Sequence, residues 1–183
     1  RFASAVLGEV AIDDLDGDED PRPGYRSLTK GVVPIIHECA DFTEEVSFIA
    51  QHIREFAENE LALAGCCVVL RRNDLAESYS QELNGMGLPT VLLGKQADNQ
   101  QVPGVRVATM HRVKGLEFRH VFLASVQEGV MPNPHAIASE DPVEARAGDL
   151  SERALLHVSA SRAIENLVVT YHGTASRFLK GLE

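Results

Sequence analysis

Short apolar runs alternate with helix-length amphipathic segments through the middle of the chain, and this alternation is the strongest constraint on its fold. Residues 32–39, 66–70 and 89–93 are rich in Val, Ile and Leu and predict strands. Residues 43–59 and 74–86, which separate these runs, predict helices. The order strand, helix, strand, helix, strand predicts a parallel sheet flanked by helices, which is an α/β fold.

The segment from residue 43 to 59 carries the signals of a helix that buries one face. Its apolar residues, from Val46 to Ile53, recur at a spacing of three and four positions. Asp41 or Thr43 can cap the first turn, because a short oxygen-bearing side chain accepts a hydrogen bond from a backbone N–H there. We therefore expect this helix to pack one face against the predicted sheet.

The second half of the chain predicts three more strands, at 105–108, 121–124 and 167–171. A third helix is predicted at 150–165 and a short terminal helix at 175–181. Residues 132–148 are rich in Ala, Pro and acidic residues. Structureless connections of this length are usually functional or disordered, so we predict an irregular, mobile loop there. Because proline is confined to strand starts and edge strands, Pro34 predicts that the first strand begins there or lies at an edge of the sheet.

Charge is distributed unevenly along the 183 residues, of which 44% are hydrophobic, enough for one domain with a substantial core. The formal net charge is −10, whereas an independent nucleic-acid-binding domain usually has a basic excess. Much of the acid lies in residues 13–20, and this predicts that residues 1–31 are an acidic linker. A local basic patch elsewhere can still bind phosphates.

The three cysteines predict reduced thiols in a cytoplasmic protein, because their number is odd and no Cys-x-x-Cys occurs. Cys66 and Cys67 are neighbours on a predicted strand, so they point to opposite faces and are no metal pair. No apolar run approaches the roughly 18 residues of a membrane span, so no membrane partner is expected. The chain begins at Arg1 and is expected to be part of a longer protein.

A polar cluster separates the strands predicted at 105–108 and 121–124. Its polar members are Thr109, His111, Arg112, Lys114 and Glu117. In open α/β sheets, ligands bind in the crevice at the carboxyl ends of the strands. The loop is therefore predicted to lie in a ligand site at that edge.

The phosphate-binding loop of P-loop enzymes is absent from the sequence. The candidate Gly94-Lys95-Gln96 has Pro89 where the first glycine should stand and Gln96 in place of Ser or Thr. No acidic pair closes an apolar strand to hold magnesium. The chain alone is thus predicted to contain no metal site and to lack the parts that cradle nucleotide phosphates.

Two long motifs resemble those of a known family. Residues 109–118, Thr-Met-His-Arg-Val-Lys-Gly-Leu-Glu-Phe, resemble motif V of the UvrD/Rep/PcrA-type superfamily 1 DNA helicases. Residues 151–170 resemble motif VI, with Ser-Arg-Ala at 161–163. Residues 42–94 fit the start of that family's second RecA-like domain. The resemblance implies a RecA-like parallel sheet flanked by helices, a P-loop NTPase-like domain without its own Walker A loop.

The resemblance also implies roles for particular residues. Arg162 would reach the γ-phosphate of ATP across a domain cleft, as an arginine finger that stabilises transition-state charge. Glu117 would bind the nucleotide ribose, with Gly115 in the same nucleotide-binding loop. Thr109 and His111 would contact single-stranded DNA. The small neighbours of Arg162 would let another surface approach it.

Other positions have more than one interpretation. Arg112 adds positive charge for DNA but is a variable position in the family. Lys114 would either contact DNA or organise the loop by pairing with an acid. Arg26 resembles the motif IV arginine, although a glycine replaces the family's preceding asparagine and the spacing to the first strand is short. Glu152 and Arg153 are interpreted as structural or coupling residues, with Arg153 about two and a half turns from Arg162.

The implied protein is the C-terminal motor domain, residues 32–183, of an ATP-dependent DNA helicase or translocase. Residues 95–104 leave no room for the extra domain that many family members insert before motif V. A first RecA-like domain of the same parent chain would hold most of the ATP and Mg²⁺, so this fragment alone is expected to be inactive. The alternatives are a non-catalytic helicase-like interaction or regulatory module, and part of a helicase–nuclease fusion.

Overall fold

The computed structural model describes residues 33–94, 98–99 and 101–181. These residues contain a six-stranded sheet in the order β1-β6-β5-β2-β4-β3, and every neighbouring pair is parallel. The strands are β1 (Ile35–Cys39), β2 (Cys66–Leu70), β3 (Thr90–Leu92), β4 (Val105–Thr109), β5 (Phe118–Leu123) and β6 (Ala163–His172). The predicted parallel α/β sheet is confirmed, and β1 lies at an edge directly after Pro34.

Helices cover both faces of the sheet. They are α1 (Phe42–Phe56), α2 (Asn73–Gly85), α3 (Pro134–Ile137) and α4 (Pro142–Ala160), with short 3₁₀ helices at Glu60–Gly65 and Arg177–Leu179. One face packs against α1 and α2, and the other packs against α4 and the segment after β4. Cys66 lies in the first core and Cys67 in the second, so the two thiols point to opposite faces as predicted.

The first helix forms where its sequence signals place it. The Asp41 carboxylate accepts a hydrogen bond from Glu44 N at 2.9 Å, so Asp41 and not Thr43 is the cap. Glu44 in turn accepts from Ala40 N at 2.6 Å, which ties the residue before the cap to the first turn of the helix. Val46 is among the residues with no exposed surface, which confirms the predicted buried face.

The loop predicted at 132–148 is largely helical, so that prediction was wrong. It contains α3 and the first part of α4, which begins at Pro142 instead of residue 150. Asp141 caps α4 by accepting from Val143 N at 2.8 Å, and proline is favoured at the first helical position. The helix also ends earlier than predicted, at Ala160, so residues 161 and 162 follow it.

A glycine in the middle of α4 lets α3 approach it closely. A Cβ built on Gly148 would lie 2.0 Å from the carbonyl oxygen of Ala136. We expect Gly148→Ala to displace α3 and to lower the free energy of unfolding by about 1–3 kcal/mol, the usual cost of overpacking. Urea-induced unfolding of the 183-residue chain measures this change.

Gly85→Ala is the matched control, because Gly85 ends α2 and a Cβ there would meet nothing within 4 Å. The control should leave the midpoint of unfolding unchanged or raise it slightly. An unaltered midpoint in Gly148→Ala would show that α3 does not depend on this close approach.

The end of the described chain is tied to the sheet. In place of the helix predicted at 175–181, a 3₁₀ turn buries Phe178 and Leu179 in the core beneath α4. No helix within the described ranges is long and apolar enough to cross a membrane.

Candidate functional site

The connection between β4 and β5, residues 110–117, runs the full length of the sheet. Thr109, the last residue of β4, pairs with Leu70 at the carboxyl edge. Phe118, the first residue of β5, stands two positions before His120, which pairs with Cys66 at the amino edge. Six strand positions of about 3.3 Å separate the ends by about 20 Å along the sheet. The prediction that the whole loop lies at the carboxyl edge was therefore wrong.

Buried residues and turns fix the path of this loop. Met110 and Val113 have no exposed surface and belong to the core beneath α4. The carbonyl of Val113 accepts from Leu116 N at 3.0 Å, and Gly115 lies within that turn with a φ of 84°. A turn of this type requires a positive φ at its third residue, which glycine adopts without strain. The polar side chains between these anchors are exposed.

A shallow groove lies at the carboxyl edge of the sheet, next to the start of the loop. Its lining residues are Arg71, Arg72, Asn73, Thr109, His111 and Arg112. Thr109, His111 and Arg112 were predicted to bind a nucleic acid, and the structure brings them together. Lys114 is exposed and lies outside the lining, in the turn before Gly115.

Sequence reasoning missed the three groove residues that follow β2. Arg71, Arg72 and Asn73 reach the groove because β2 and β4 are parallel neighbours that end at the same level, with Leu70 opposite Thr109. The signal was present: three polar residues directly follow a fully apolar strand, and such residues collect at the carboxyl edge. Without the strand order, nothing placed them beside Thr109.

The three arginines of the groove differ in how firmly they are held. Arg71 makes two hydrogen bonds to the Glu152 carboxylate, at 2.7 and 2.9 Å, and both side chains are largely buried. Arg72 makes an exposed ion pair with Asp74 at 2.8 Å. Arg112 donates to the carbonyl of Gly94. Arg72 and Arg112 can thus turn toward a ligand, whereas Arg71 is a fixed part of the wall.

Arg162 lies at the opposite, amino edge of the sheet. It follows α4 and does not lie on the helix, which corrects the prediction. Its guanidinium donates to Val158 O at 3.0 Å, to Leu116 O at 3.4 Å and to Ser161 Oγ at 2.9 Å. Its carbonyl accepts from Phe118 N at 3.0 Å, which ties it to the end of the loop.

Glu117 and Gly115 lie beside Arg162 in the chain path at this edge. Glu117 is exposed and directly follows Leu116, whose carbonyl accepts from Arg162. The three residues predicted to contact the nucleotide are therefore close together at the amino edge. The small neighbours of Arg162 do not all face outward: Ser159 and Ala160 are buried, and only Ser161 is exposed. Ala163 is half-buried, so Ser161 is the one small neighbour whose side chain is exposed.

The cysteines and the possible metal ligands among the described residues do not form a further reactive site. Burial raises the pKa of Cys39 and of Cys66 to about 12, and it raises the pKa of Cys67 as well. These thiols remain protonated at neutral pH and are poor nucleophiles. Among residues 33–94, 98–99 and 101–181, no three His, Cys, Asp or Glu side chains are arranged to hold a metal ion. Arg26 and the acidic stretch 13–20 lie outside the described residues.

The parallel sheet, with a groove at one edge and an arginine and carboxylate at the other, defines a RecA-like α/β domain. The same fold occurs in the crystal structure of the C-terminal domain of a possible DNA helicase from Lactobacillus plantarum WCFS1. The two chains superpose with a TM-score of 0.62 at 22% sequence identity, over 84% of this chain and 82% of the other. This likeness establishes the architecture.

Sequence comparison places the chain more narrowly. Residues 95–174 match the family model of the UvrD-like helicase C-terminal domain, and this part of the chain is such a domain. The ATP-dependent DNA helicase PcrA of Staphylococcus aureus strain Mu50 is 42% identical over 205 residues, covering 97% of this chain and 26% of the relative. PcrA of Staphylococcus epidermidis strain RP62A is 40% identical over 83 residues, 45% of this chain. The chain spans about a quarter of the length of the S. aureus relative.

Proposed function

We propose that residues 32–183 are the second RecA-like motor domain of an ATP-dependent DNA helicase or translocase. In this proposal the domain completes an ATP site across a cleft and grips single-stranded DNA. One observation carries the proposal: a single short loop joins the polar groove at the carboxyl edge to Glu117 beside Arg162 at the amino edge. A motor needs this kind of connection, because its affinity for the DNA strand must change each time ATP is bound and hydrolysed.

The amino edge is the proposed nucleotide side. Arg162 would exchange its three neutral acceptors for the anionic γ-phosphate of ATP, to which a guanidinium can make two parallel charge-assisted hydrogen bonds. Glu117 would accept from ribose hydroxyls, with Gly115 shaping the turn beside it. A first RecA-like domain of the same parent chain would bind the other phosphates and Mg²⁺, because the sequence has no phosphate-binding loop of the form G-x-x-x-x-G-K-[ST].

The carboxyl edge is the proposed single-stranded DNA side. Thr109 and His111 can donate to phosphate oxygens, and Arg72 and Arg112 add positive charge in the same groove. Such contacts position a strand and read little of its sequence, as a translocating motor requires. A local basic groove would allow a chain with a net charge of −10 to bind a polyanion.

The test is hydrolysis of Mg²⁺-ATP by the full-length protein with and without an oligothymidylate. We expect the oligonucleotide to raise the rate of ATP hydrolysis strongly. The 183-residue chain alone should hydrolyse no ATP. A full-length protein that binds neither ATP nor the oligonucleotide would contradict the proposal. The non-catalytic interaction module would then be the better description of the chain.

The salt dependence of DNA binding tests the groove directly. We expect Arg112→Gln to weaken oligothymidylate binding and to reduce the slope of log K against log salt concentration by about 0.7, the value for one phosphate contact to a single strand. Fluorescence anisotropy of the full-length protein over a range of NaCl concentrations measures the slope. Arg54→Gln is the control, because Arg54 lies on α1 and bonds to the carbonyl of Met86, away from the groove. Equal slopes in the two variants would place the strand elsewhere.

A further inference from the structure

We propose that Glu152 is a positioning residue that couples the groove at the carboxyl edge to Arg162 at the amino edge, with α4 as the rigid link. The inference rests on the proposed function, because it assigns a role within the same two sites. Glu152 contacts neither nucleotide nor DNA in this proposal. It acts through Arg71 on one side and through the helix that carries it on the other.

The contacts of Glu152 join three separate parts of the chain. One carboxylate oxygen accepts from Arg71 Nη2 at 2.7 Å, and the other accepts from Arg71 Nε at 2.9 Å. The second oxygen also accepts from Asn133 N at 2.8 Å. The side chain of Glu152 is 4% exposed and that of Arg71 is 12% exposed. A bidentate pair this well shielded from water holds its partners in one geometry.

The helix then carries this anchor to the other edge of the sheet. Arg71 follows β2 at the carboxyl edge, so Glu152 lies there as well, whereas Arg162 stands at the amino edge. The helix runs eight residues from Glu152 to its end at Ala160, about 12 Å along the axis, and Arg162 follows two residues later. Leu156 and Ala160 are buried between these ends, and the Arg162 guanidinium is bonded to the last turn through Val158 O. A shift of the groove wall must therefore move the helix end that holds Arg162.

The pair's chemistry sets the expected direction of the effect. Because Glu152 occupies two donors of Arg71, Arg71 serves as part of the wall and not as a phosphate ligand. Removing the Glu152 charge frees a cation next to the groove, so DNA affinity should be retained or increased. What should be lost is the transmission of DNA binding to the nucleotide edge. If Glu152 bound DNA directly, its removal would instead weaken DNA affinity and leave the rate at saturating DNA unchanged.

The decisive variant is Glu152→Gln in the full-length protein, assayed for ATP hydrolysis over a range of oligothymidylate concentrations. We expect the rate at saturating oligonucleotide to fall about tenfold, within the usual range of coupling between two sites. The unstimulated rate should stay unchanged, and the half-maximal oligonucleotide concentration should stay the same or fall. The double variant Arg71→Met/Glu152→Gln should show the same loss and no more, because both changes break one link. The double variant also leaves no unpaired buried charge, so it covers the case in which the single variant fails to fold.

Asp149→Asn is the control for a merely structural effect. Asp149 lies on the same helix, one turn before Glu152, and pairs with Arg153 at 3.0 Å and Arg177 at 2.6 Å, neither of which lines the groove. It should leave the degree of DNA stimulation unchanged. Undiminished stimulation in Glu152→Gln, or an equal fall of stimulated and unstimulated rates, would overturn the inference. A wild-type protein with no DNA stimulation would overturn the proposed function itself, and this coupling with it.

Discussion

Arg162→Ala is expected to lower DNA-stimulated ATP hydrolysis by the full-length protein by at least about a hundredfold, since finger arginines contribute about 10³ to 10⁵ in rate. The physical reason is that charge develops on the γ-phosphate oxygens in the transition state. A guanidinium at the edge of the adjoining domain stabilises this charge more than it stabilises bound ATP. Binding of ATP itself should therefore change little.

Steady-state kinetics and titration with a fluorescent ATP analogue separate these two effects. Arg119→Ala is the matched control: Arg119 lies at the same amino edge, in β5, and forms an exposed pair with Glu165 at 2.8 Å. It should retain the wild-type rate. If Arg119→Ala were as slow as Arg162→Ala, or if Arg162→Ala lost ATP binding altogether, Arg162 would not have the role proposed.

The largest effect on stability is expected from Arg106→Met. Arg106 lies in β4 with no exposed surface, and its guanidinium bonds to Asp98 at 3.1 Å and to the carbonyls of Asn99, Val102 and Gly104 at 2.7–2.8 Å. Methionine fills much of the volume but leaves the largely buried Asp98 carboxylate without its cation and takes one donor from each of the three carbonyls. Breaking a buried pair in this way typically costs about 3–5 kcal/mol.

Urea-induced unfolding of the 183-residue chain measures the loss. Arg119→Met removes an arginine from an exposed pair on the neighbouring part of the sheet and should leave the midpoint unchanged. A double variant, Arg106→Met/Asp98→Leu, should recover much of the lost stability, because no unpaired charge remains. If the single variant unfolded at the wild-type urea concentration, the Arg106 cluster would not hold the connection between β3 and β4.

Periodicity was a reliable guide where a segment buries one face. The strands β2 and β4 and the helix α1 were found within a few residues, because their apolar residues must meet the core. The region 132–148 was misjudged because its content of Ala, Pro and acidic residues suggested a loop. The cap Asp141 followed by Pro142 was a helix-start signal that outweighed them.

The candidate site was only partly within reach of the sequence. Motif resemblance selected Thr109, His111, Glu117 and Arg162, but it did not separate them into two edges. That separation follows from the parallel pairing of β4 and β5 with β2, which is a property of the tertiary structure. The bond between Arg71 and Glu152 joins residues 81 positions apart, and no local pattern predicts such a pair.

The path of the loop between Thr109 and Phe118 also limits how many residues can be deleted from it. Nine peptide links reach at most about 30 Å when fully extended. The diagonal across the sheet, two strand spacings sideways and six positions along, takes about 22 Å of this reach. The remaining length forms two turns, one closed by Arg112 N and Thr109 O and the other, which contains Gly115, closed by Leu116 N and Val113 O. Substitutions within this stretch leave its length unchanged, whereas deleting two residues would remove the length that the turns need and displace the anchors at the carboxyl and amino edges together.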